Sequence, residues 1–370
     1  MHKATFFPLG CADTCRVDLV NGKKVLLDYA NVRDEADGDD KRCDLPTLLR
    51  KDLKSANRKD YDVVAFTHLD RDHYAGATEF FYLEHADKYQ HGDRIRITEL
   101  WVPAAVITEK GPTDEAAVIQ EEARYRLRQG KGIRVFSRPD RLKDWLEKQG
   151  LSLDSRRHLI TDAGQLVPGF ERGRDGVEWF AHSPFAVRQN ESDVEDRNTD
   201  SLVLHATFVV GQTETKALFA SDVDHSVLTD IVNVTRLHKR EERLEWDIFK
   251  LPHHCSYTAL GPEKGKEETT PVPNVKYLFE DKGHAGAIIV APCDPIPDGD
   301  TDLPPHRQAA NYYRRIVREK RGEFMVTMEH PRKAAPEPLV IKIDGKGAAV
   351  ERSIPTGVAA IVGTSAPRAG

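Results

Sequence analysis

The sequence lacks long apolar runs, and it contains little cysteine. No apolar segment approaches the roughly 20 residues of a membrane-spanning helix, and Met1–Gly10 has no signal-peptide pattern. The cysteines are odd in number and scattered, which indicates reduced thiols rather than a disulfide framework. They are Cys11, Cys15, Cys43, Cys255 and Cys293. We therefore expect a cytoplasmic protein that does not associate with membranes.

The sequence also lacks an excess of basic charge. Its 54 Lys and Arg residues against 60 Asp and Glu residues give a formal net charge of −6 and a pI near 6.2. Such a balance excludes a general attraction to nucleic acid or anionic lipid, so either partner would need a local basic patch. With 39% hydrophobic and 31% charged residues, the composition is that of a polar globular protein.

Apolar and polar patterning predicts alternating strands and helices along the chain. We expect the polar stretch 257–286 to be an insertion or a mobile loop, and 191–196 to be an acidic loop. Predicted helices cover 45–57, capped by Asp44, then 114–129, 139–149 and 308–319. Predicted strands cover 15–20, 24–28, 62–67, 100–102, 177–181, 216–220, 246–251, 287–291, 324–328 and 339–343.

The densest group of chemically active residues lies in Asp62–Gly76, which reads D-V-V-A-F-T-H-L-D-R-D-H-Y-A-G. A short buried strand is followed at once by His68, Asp70, Asp72 and His73. Imidazole nitrogens and carboxylate oxygens together suit zinc or manganese, and four such groups in six residues favour two ions over one. The alternative, an exposed loop with a helix cap, needs only one aspartate.

Two later strands also end in groups that bind metals. Asp222 follows the predicted strand 216–220, and the pair His253-His254 follows the strand 246–251. Asp28 ends an earlier strand and is a candidate for orienting the metal-binding loop. Strand ends that meet at one edge of a sheet commonly form a reaction site. Two ions about 3.5–4 Å apart would hold a hydroxide and clamp substrate oxygens, and a lone Asp222 could bridge them.

At these residues the sequence resembles the metallo-β-lactamase-like hydrolase superfamily. That family's motif is H-x-H-x-D-H after a buried strand, and here it reads H-L-D-R-D-H. This variant is similar to the metal-binding domain of the DNA-uptake competence channel protein and its stand-alone relatives. L-G-C-A-D-T-C, N-T-D-S-L-V-L and L-P-H-H-C-S resemble further motifs of that group in the same order. The resemblance implies a four-layer αββα sandwich forming one domain over 1–345, with insertions at about 84–160 and 258–285 and a tail over 346–370.

Carried over residue by residue, the resemblance implies two divalent ions, zinc or manganese, with magnesium as a further option. His68 and Asp70 would bind the first ion, Asp72 and His73 the second, and Asp222 would bridge them. Asp72 would also orient or deprotonate the attacking water.

The remaining ligands are less defined. His253 is the preferred last ligand and His254 the second choice. The family's middle histidine is absent, since Arg197-Asn198-Thr199-Asp200 stands in its place, and Asn198 or Asp200 is expected to fill the gap.

Three further histidines have alternative interpretations. His306 is a candidate general acid or phosphate donor, or else a surface residue at a helix start. His225 could orient Asp222 or lie exposed, and for His182 a core or loop position is the default expectation.

The resemblance favours hydrolysis of a phosphodiester, including nucleic acid, by a metal-bound hydroxide at a dinuclear site. Two alternatives stay open, because one fold supports many chemistries. The first is an ester, lactone or thioester hydrolase. The second is a subunit of a multi-protein complex, of the defence type for example, in which the insertions dock a protein partner; a homo-oligomer is also compatible with the sequence.

Overall fold

The computed structural model describes residues 1–186 and 197–352. Its strands form two mixed sheets. In chain order they are β1 (His2–Phe6), β2 (Cys15–Asp18), β3 (Lys24–Leu27), β4 (Asp60–Ala65), β5 (Arg96–Pro103), β6 (Ile133–Phe136), β7 (Ile160–Thr161), β8 (Gln165–Leu166), β9 (Val177–Ser183), β10 (Val203–Val210), β11 (Thr213–Ala220), β12 (Trp246–Lys250), β13 (Gly283–Ala291), β14 (Glu323–Val326), β15 (Leu339–Asp344) and β16 (Gly347–Val350). The first sheet has the order β16-β15-β1-β2-β3-β4-β5-β6-β7, and the second β14-β13-β12-β11-β10-β9-β8.

Helices cover the outer faces of both sheets. They are α1 (Leu45–Ser55), α2 (Arg71–Tyr74), α3 (Ala77–Phe80), α4 (Ala104–Thr108), α5 (Asp114–Gln129), α6 (Asp140–Lys148), α7 (Leu153–Arg156), α8 (Arg172–Asp175), α9 (His225–Leu237), α10 (Pro273–Glu280) and α11 (Arg307–Glu319). Within residues 1–186 and 197–352, no helix has the length and apolar character needed to cross a bilayer.

Three apolar cores separate the layers. One core lies between the sheets and contains Trp101 of β5, Trp179 of β9 and Phe219 of β11. A second packs α1 and α5 against the first sheet, and a third packs α9 and α11 against the second sheet. The four-layer αββα sandwich expected from the sequence is therefore confirmed.

Alternation along single strands produces these layers. On β4, Val63 and Ala65 point to the core between the sheets, whereas Val64 points to the helices. Ile288 and Val290 of β13 likewise face the core between the sheets, and their neighbour Ile289 faces the helices. Because successive strand side chains point to opposite faces, a strand buried on both sides has an unbroken apolar sequence.

Most predicted elements are present, with one clear correction. The helix over 114–129 has the expected bounds, and Asp44 caps α1 by accepting a hydrogen bond from the Thr47 N–H (3.1 Å). The stretch 257–286 is not simply a loop, because it contains α10 and the start of β13. Pro273 begins this helix, and apolar residues spaced three or four apart (Val275, Leu278, Phe279) bury one face.

Other predictions concern the expected insertion over 84–160, the acidic loop and the C-terminal tail. The segment 84–160 contributes β5 and β6 to the first sheet, so it is continuous with the sandwich. The tail expected from residue 346 begins with β16, paired to β15. The acidic loop over 191–196 and the tail beyond 352 lie outside the described residues.

Parallel pairing brings several strand ends to one edge. β3 and β4 are parallel, and so are β11 and β12. Their carboxyl ends lead into Asp28, into the segment from Thr67 to His73, into Asp222 and into His254, respectively. The topology therefore delivers side chains that are far apart in sequence to a single region.

A buried histidine should make the fold sensitive to acid. Burial, together with the charge of Arg243, lowers the pKa of His182 to about 4, although its Nε2–H donates to the Arg243 carbonyl (2.9 Å). The unfolded chain, whose histidine has a pKa of 6.5, therefore binds more protons between pH 6.5 and 4, and stability falls as the pH falls through that range. We expect His182 to contribute a loss of roughly 2 kcal/mol between pH 7 and pH 5.

Chemical denaturation at both pH values measures this contribution. His182→Gln should lose less stability on acidification than the wild type, whereas His91→Gln, at an exposed position, should match the wild type. An unchanged pH dependence in His182→Gln would show that His182 is not responsible.

Candidate metal centre

The segment after β4 is held against the end of β3 by Asp28. The Asp28 carboxylate accepts one hydrogen bond from the Thr67 backbone N–H and one from the Thr67 hydroxyl, each 2.7 Å long. Asp28 itself has a φ of 58°, a left-handed conformation that aspartate tolerates better than most residues. These contacts fix the position from which His68 and the following residues leave the sheet.

His73 directs its ring nitrogens to two carboxylates. Nδ1 lies 2.9 Å from Asp28 Oδ2, and Nε2 lies 3.4 Å from Asp222 Oδ1. Since a carboxylate only accepts hydrogen bonds, Nδ1 carries a proton that it donates to Asp28, and Nε2 faces the centre. Burial lowers the pKa of His73, but the charges of Asp222 and Asp28 together raise it well above its ordinary value.

His254 reaches the same centre from a strained turn after β12. His253, His254 and Cys255 have φ values of 47°, 51° and 65°, three successive residues in the left-handed region that non-glycine residues rarely adopt. The Nδ1–H of His254 donates to the Pro292 carbonyl (2.9 Å), which leaves Nε2 facing Asp72 Oδ2 at 3.0 Å. This hydrogen bond orients the ring as partners behind a metal ligand commonly do.

Four side chains meet at this point: Asp72, His73, Asp222 and His254. One potential ligand atom from each lies within 4.8 Å of all the others. His73, Asp222 and His254 are buried, while the Asp72 side chain is 35% exposed. Asp72 therefore forms the open side of the group.

Electrostatics in this group favour a cation. Burial lowers the pKa of His254, but the Asp222 charge and the hydrogen bonds that Asp222 and Asp72 accept from it raise this pKa to about 10. Burial raises the pKa of Asp222, yet His254 and His73 hold it well below its usual value. His73 Nε2 is buried and has no partner with hydrogen-bond geometry among the described residues. Two imidazoles and two carboxylates converging in this way fit a divalent ion.

The neighbouring half of the site is built differently. His68 is buried, with Nε2 3.5 Å from Asp70 Oδ2 and its ring 4.0 Å from that of His73. Arg197 Nη1 lies 2.9 Å from the other Asp70 oxygen, and Arg197 Nε lies 3.0 Å from Glu109 Oε1. Burial raises the pKa of Asp70, but His68 and Arg197 bring it below the ordinary value.

A buried ion pair between Lys250 and Asp13 lies next to the candidate centre. Lys250 Nζ contacts Asp13 Oδ2 and donates to the Ala220 carbonyl (2.7 Å), and both charged side chains are less than 5% exposed. The Asp13 N–H in turn donates to the Asp72 carbonyl (2.9 Å). The pair therefore ties β12 to the backbone of a residue in the candidate centre.

The structure brings together Asp72, His73, Asp222 and His254, with His68 and Asp70 beside them. His253, preferred from the sequence, has its ring centroid 6.4 Å from that of His254 and is not part of the group of four. Because the left-handed turn points the second histidine inward, the placement favours His254 over His253. The ligand assignments themselves stay predictions.

Other candidates lie outside the group. His306 is 2% exposed, and its ring nitrogens face the Tyr257 N–H (3.3 Å) and the Asp302 carbonyl (3.4 Å). His225 Nδ1 donates to the Thr258 carbonyl (2.9 Å). Asp200 is buried and Asn198 half-buried just before β10, and neither belongs to a metal-ligand group found within 1–186 and 197–352.

Sequence reasoning missed Asp13, Lys250 and Glu109. A buried lysine in the strand W-D-I-F-K-L was a detectable signal, because lysine is almost never buried without a partner. The contact between Arg197 and Glu109 joins residues 88 positions apart and has no local signal.

Comparisons with known proteins give distant likenesses. No family model and no curated protein matches the sequence. The chain is similar to a diphosphatase of the PhnP family (10% identity over 78% of this chain and 86% of that one, TM-score 0.31). It is also similar to MEM-A1, a subclass B3 metallo-β-lactamase from a soil metagenome library (10% identity over 68% of this chain and 75% of that one, TM-score 0.32). A long-form RNase Z from yeast aligns over 96% of this chain and 49% of its own length, with 10% identity and a TM-score of 0.36. At these TM-scores the likenesses carry no argument about activity, and the fold rests on the layers and strand order described above.

Proposed function

We propose that the protein is a metal-dependent hydrolase of the metallo-β-lactamase-like superfamily and that its substrate is a phosphodiester. The observation that carries the proposal is the convergence of Asp72, His73, Asp222 and His254 within 4.8 Å at the carboxyl edge of two sheets. A set of two histidines and two carboxylates is complete for one divalent ion, zinc or manganese.

Such an ion supplies Lewis acidity, which polarises a substrate oxygen and makes water a stronger acid. The chain's own residues prepare the site. Asp28 and the Pro292 carbonyl fix the tautomers of His73 and His254, so that both Nε2 atoms face the centre. Asp72 is the most exposed member of the group, and we assign it the role of orienting water and holding the proton that is released.

An anionic substrate is favoured by the cation beside the site. Arg197 contacts Asp70 and Glu109, and two of its five N–H donors are left to bind an oxygen of a phosphodiester. A neutral lactone or thioester would gain less from these charged donors. They support the phosphodiester over the ester-type alternative.

Hydrolysis of bis-p-nitrophenyl phosphate tests the activity. With Mn²⁺ or Zn²⁺ we expect the purified protein to release p-nitrophenol, and Asp72→Ala to lower kcat about 10²–10⁴-fold. Asp93→Ala, at an exposed position outside the group, is the matched control and should retain wild-type activity.

Equal rates for Asp72→Ala and the wild type would contradict the assigned role of Asp72. Turnover of lactones or thioesters, but not of the phosphodiester, would replace the proposed substrate class with the alternative.

A further inference from the structure

The two halves of the site differ in their complement of ligands. Asp72, His73, Asp222 and His254 form a complete group, whereas His68 and Asp70 face each other with no third ligand among the residues that the structure describes. Within 1–186 and 197–352, no cluster of three or more His, Cys, Asp or Glu side chains includes either residue. Among the described residues, the ligands that a second ion would need are therefore missing beside His68 and Asp70.

A fixed cation already lies on Asp70. Arg197 Nη1 is 2.9 Å from Asp70 Oδ1, and the Arg197 Nε and Nη2 groups both contact Glu109 Oε1. The Glu109 side chain is 8% exposed, so the guanidinium is anchored by a largely buried carboxylate. These contacts engage three of the five N–H donors of the guanidinium.

The position of Arg197 in the sequence agrees with this arrangement. Arg197-Asn198-Thr199-Asp200 stands where the resemblance places the middle histidine, so a cationic side chain replaces a neutral ligand. A guanidinium stays charged at all working pH values, and it would repel a divalent ion bound to the same carboxylate.

We propose that the site holds one divalent ion, in the group of four, and that Arg197 replaces the second ion. Its guanidinium neutralises Asp70 and binds an anionic oxygen of the substrate where a dinuclear site would use a metal. This inference rests on the proposed function, because it assumes that the group of four binds metal.

Counting bound ions tests the inference directly. The folded protein is dialysed against excess Zn²⁺ or Mn²⁺, freed of unbound ions, and analysed by mass spectrometry for metal per chain. We expect one ion per chain for the wild type and for Arg197→Lys, which keeps the charge. Arg197→His removes the cation and restores an imidazole, so we expect the count to rise to two. Arg172→His, at a surface ion pair on β9 and β11, should stay at one.

Each count has a distinct meaning. Two ions in the wild type, or a single ion in a folded Arg197→His protein, would overturn the inference. No ion in the wild type would refute the proposed function itself.

Kinetics provide a second readout that depends on substrate charge. With Arg197→Ala we expect KM for the anionic reporter to rise about 10- to 100-fold, the usual effect of losing a hydrogen bond to a charged group. An unchanged KM would show that Arg197 does not bind the substrate.

Discussion

Replacing Asp222 by alanine is expected to remove the bound metal and the hydrolytic activity together. The two oxygens of Asp222 each face a histidine, with Oδ1 3.4 Å from His73 Nε2 and Oδ2 3.4 Å from His254 Nε2. Changes to groups that only orient a ligand typically lower metal affinity about 10–100-fold, so loss of a ligand should cost more than about 100-fold. Metal analysis and phosphodiester hydrolysis of the same preparations measure both effects.

The control for this variant lies two residues away. The Asp224 carboxylate caps α9 by accepting hydrogen bonds from the N–H groups of Ser226 and Val227, so Asp224→Ala should cost about 1 kcal/mol of stability and keep its metal. Wild-type metal content in Asp222→Ala would exclude Asp222 from the centre.

Lys250→Met is expected to lower the free energy of unfolding more than Asp224→Ala or Lys216→Met. The substitution leaves the Asp13 carboxylate buried without its partner, and breaking a buried ion pair typically costs about 3–5 kcal/mol. Denaturation should be measured in the presence of a chelator, so that changes in metal binding do not contribute. Adding Asp13→Asn to Lys250→Met should recover most of the loss, because the unpaired charge is then gone.

A more exposed ion pair provides the comparison. Lys216 and Glu245 also form an ion pair, with side chains 15% and 32% exposed, and Lys216→Met should cost less than about 1 kcal/mol. A cost for Lys250→Met no larger than that for Lys216→Met would contradict the structural role assigned to the buried pair.

Local patterns predicted most strands and helices and the meeting of several strand ends, whereas the four layers were implied by the family resemblance. The unbroken apolar strand before His68, and Asp222 at the end of another strand, imply that these groups meet at one sheet edge, because parallel strands place their carboxyl ends together. The helices α1 and α5 were predictable for a similar reason, since their caps and spacing are encoded within one segment.

The choice between His253 and His254 was not predictable from spacing. It depends on three successive left-handed residues, a conformation that no residue in H-H-C favours by itself and that the surrounding fold imposes. The helix α10 was missed because its eight residues lie in a stretch rich in lysine, glutamate and proline.

Long-range charge pairing was the other feature beyond sequence reasoning. Arg197 contacts Asp70 across 127 positions and Glu109 across 88 positions, and Lys250 lies against Asp13 near the other end of the chain. Such pairs form because separate strands and loops pack together, so the three-dimensional structure is needed to identify them.

The position of a bound ion tests the central claim most directly. Crystals grown with Zn²⁺ or Mn²⁺ and measured at the metal's absorption edge would locate it by anomalous scattering. We predict a peak coordinated by Asp72, His73, Asp222 and His254, with none between His68 and Asp70. A peak elsewhere, or no peak in this group at saturating metal, would contradict the account.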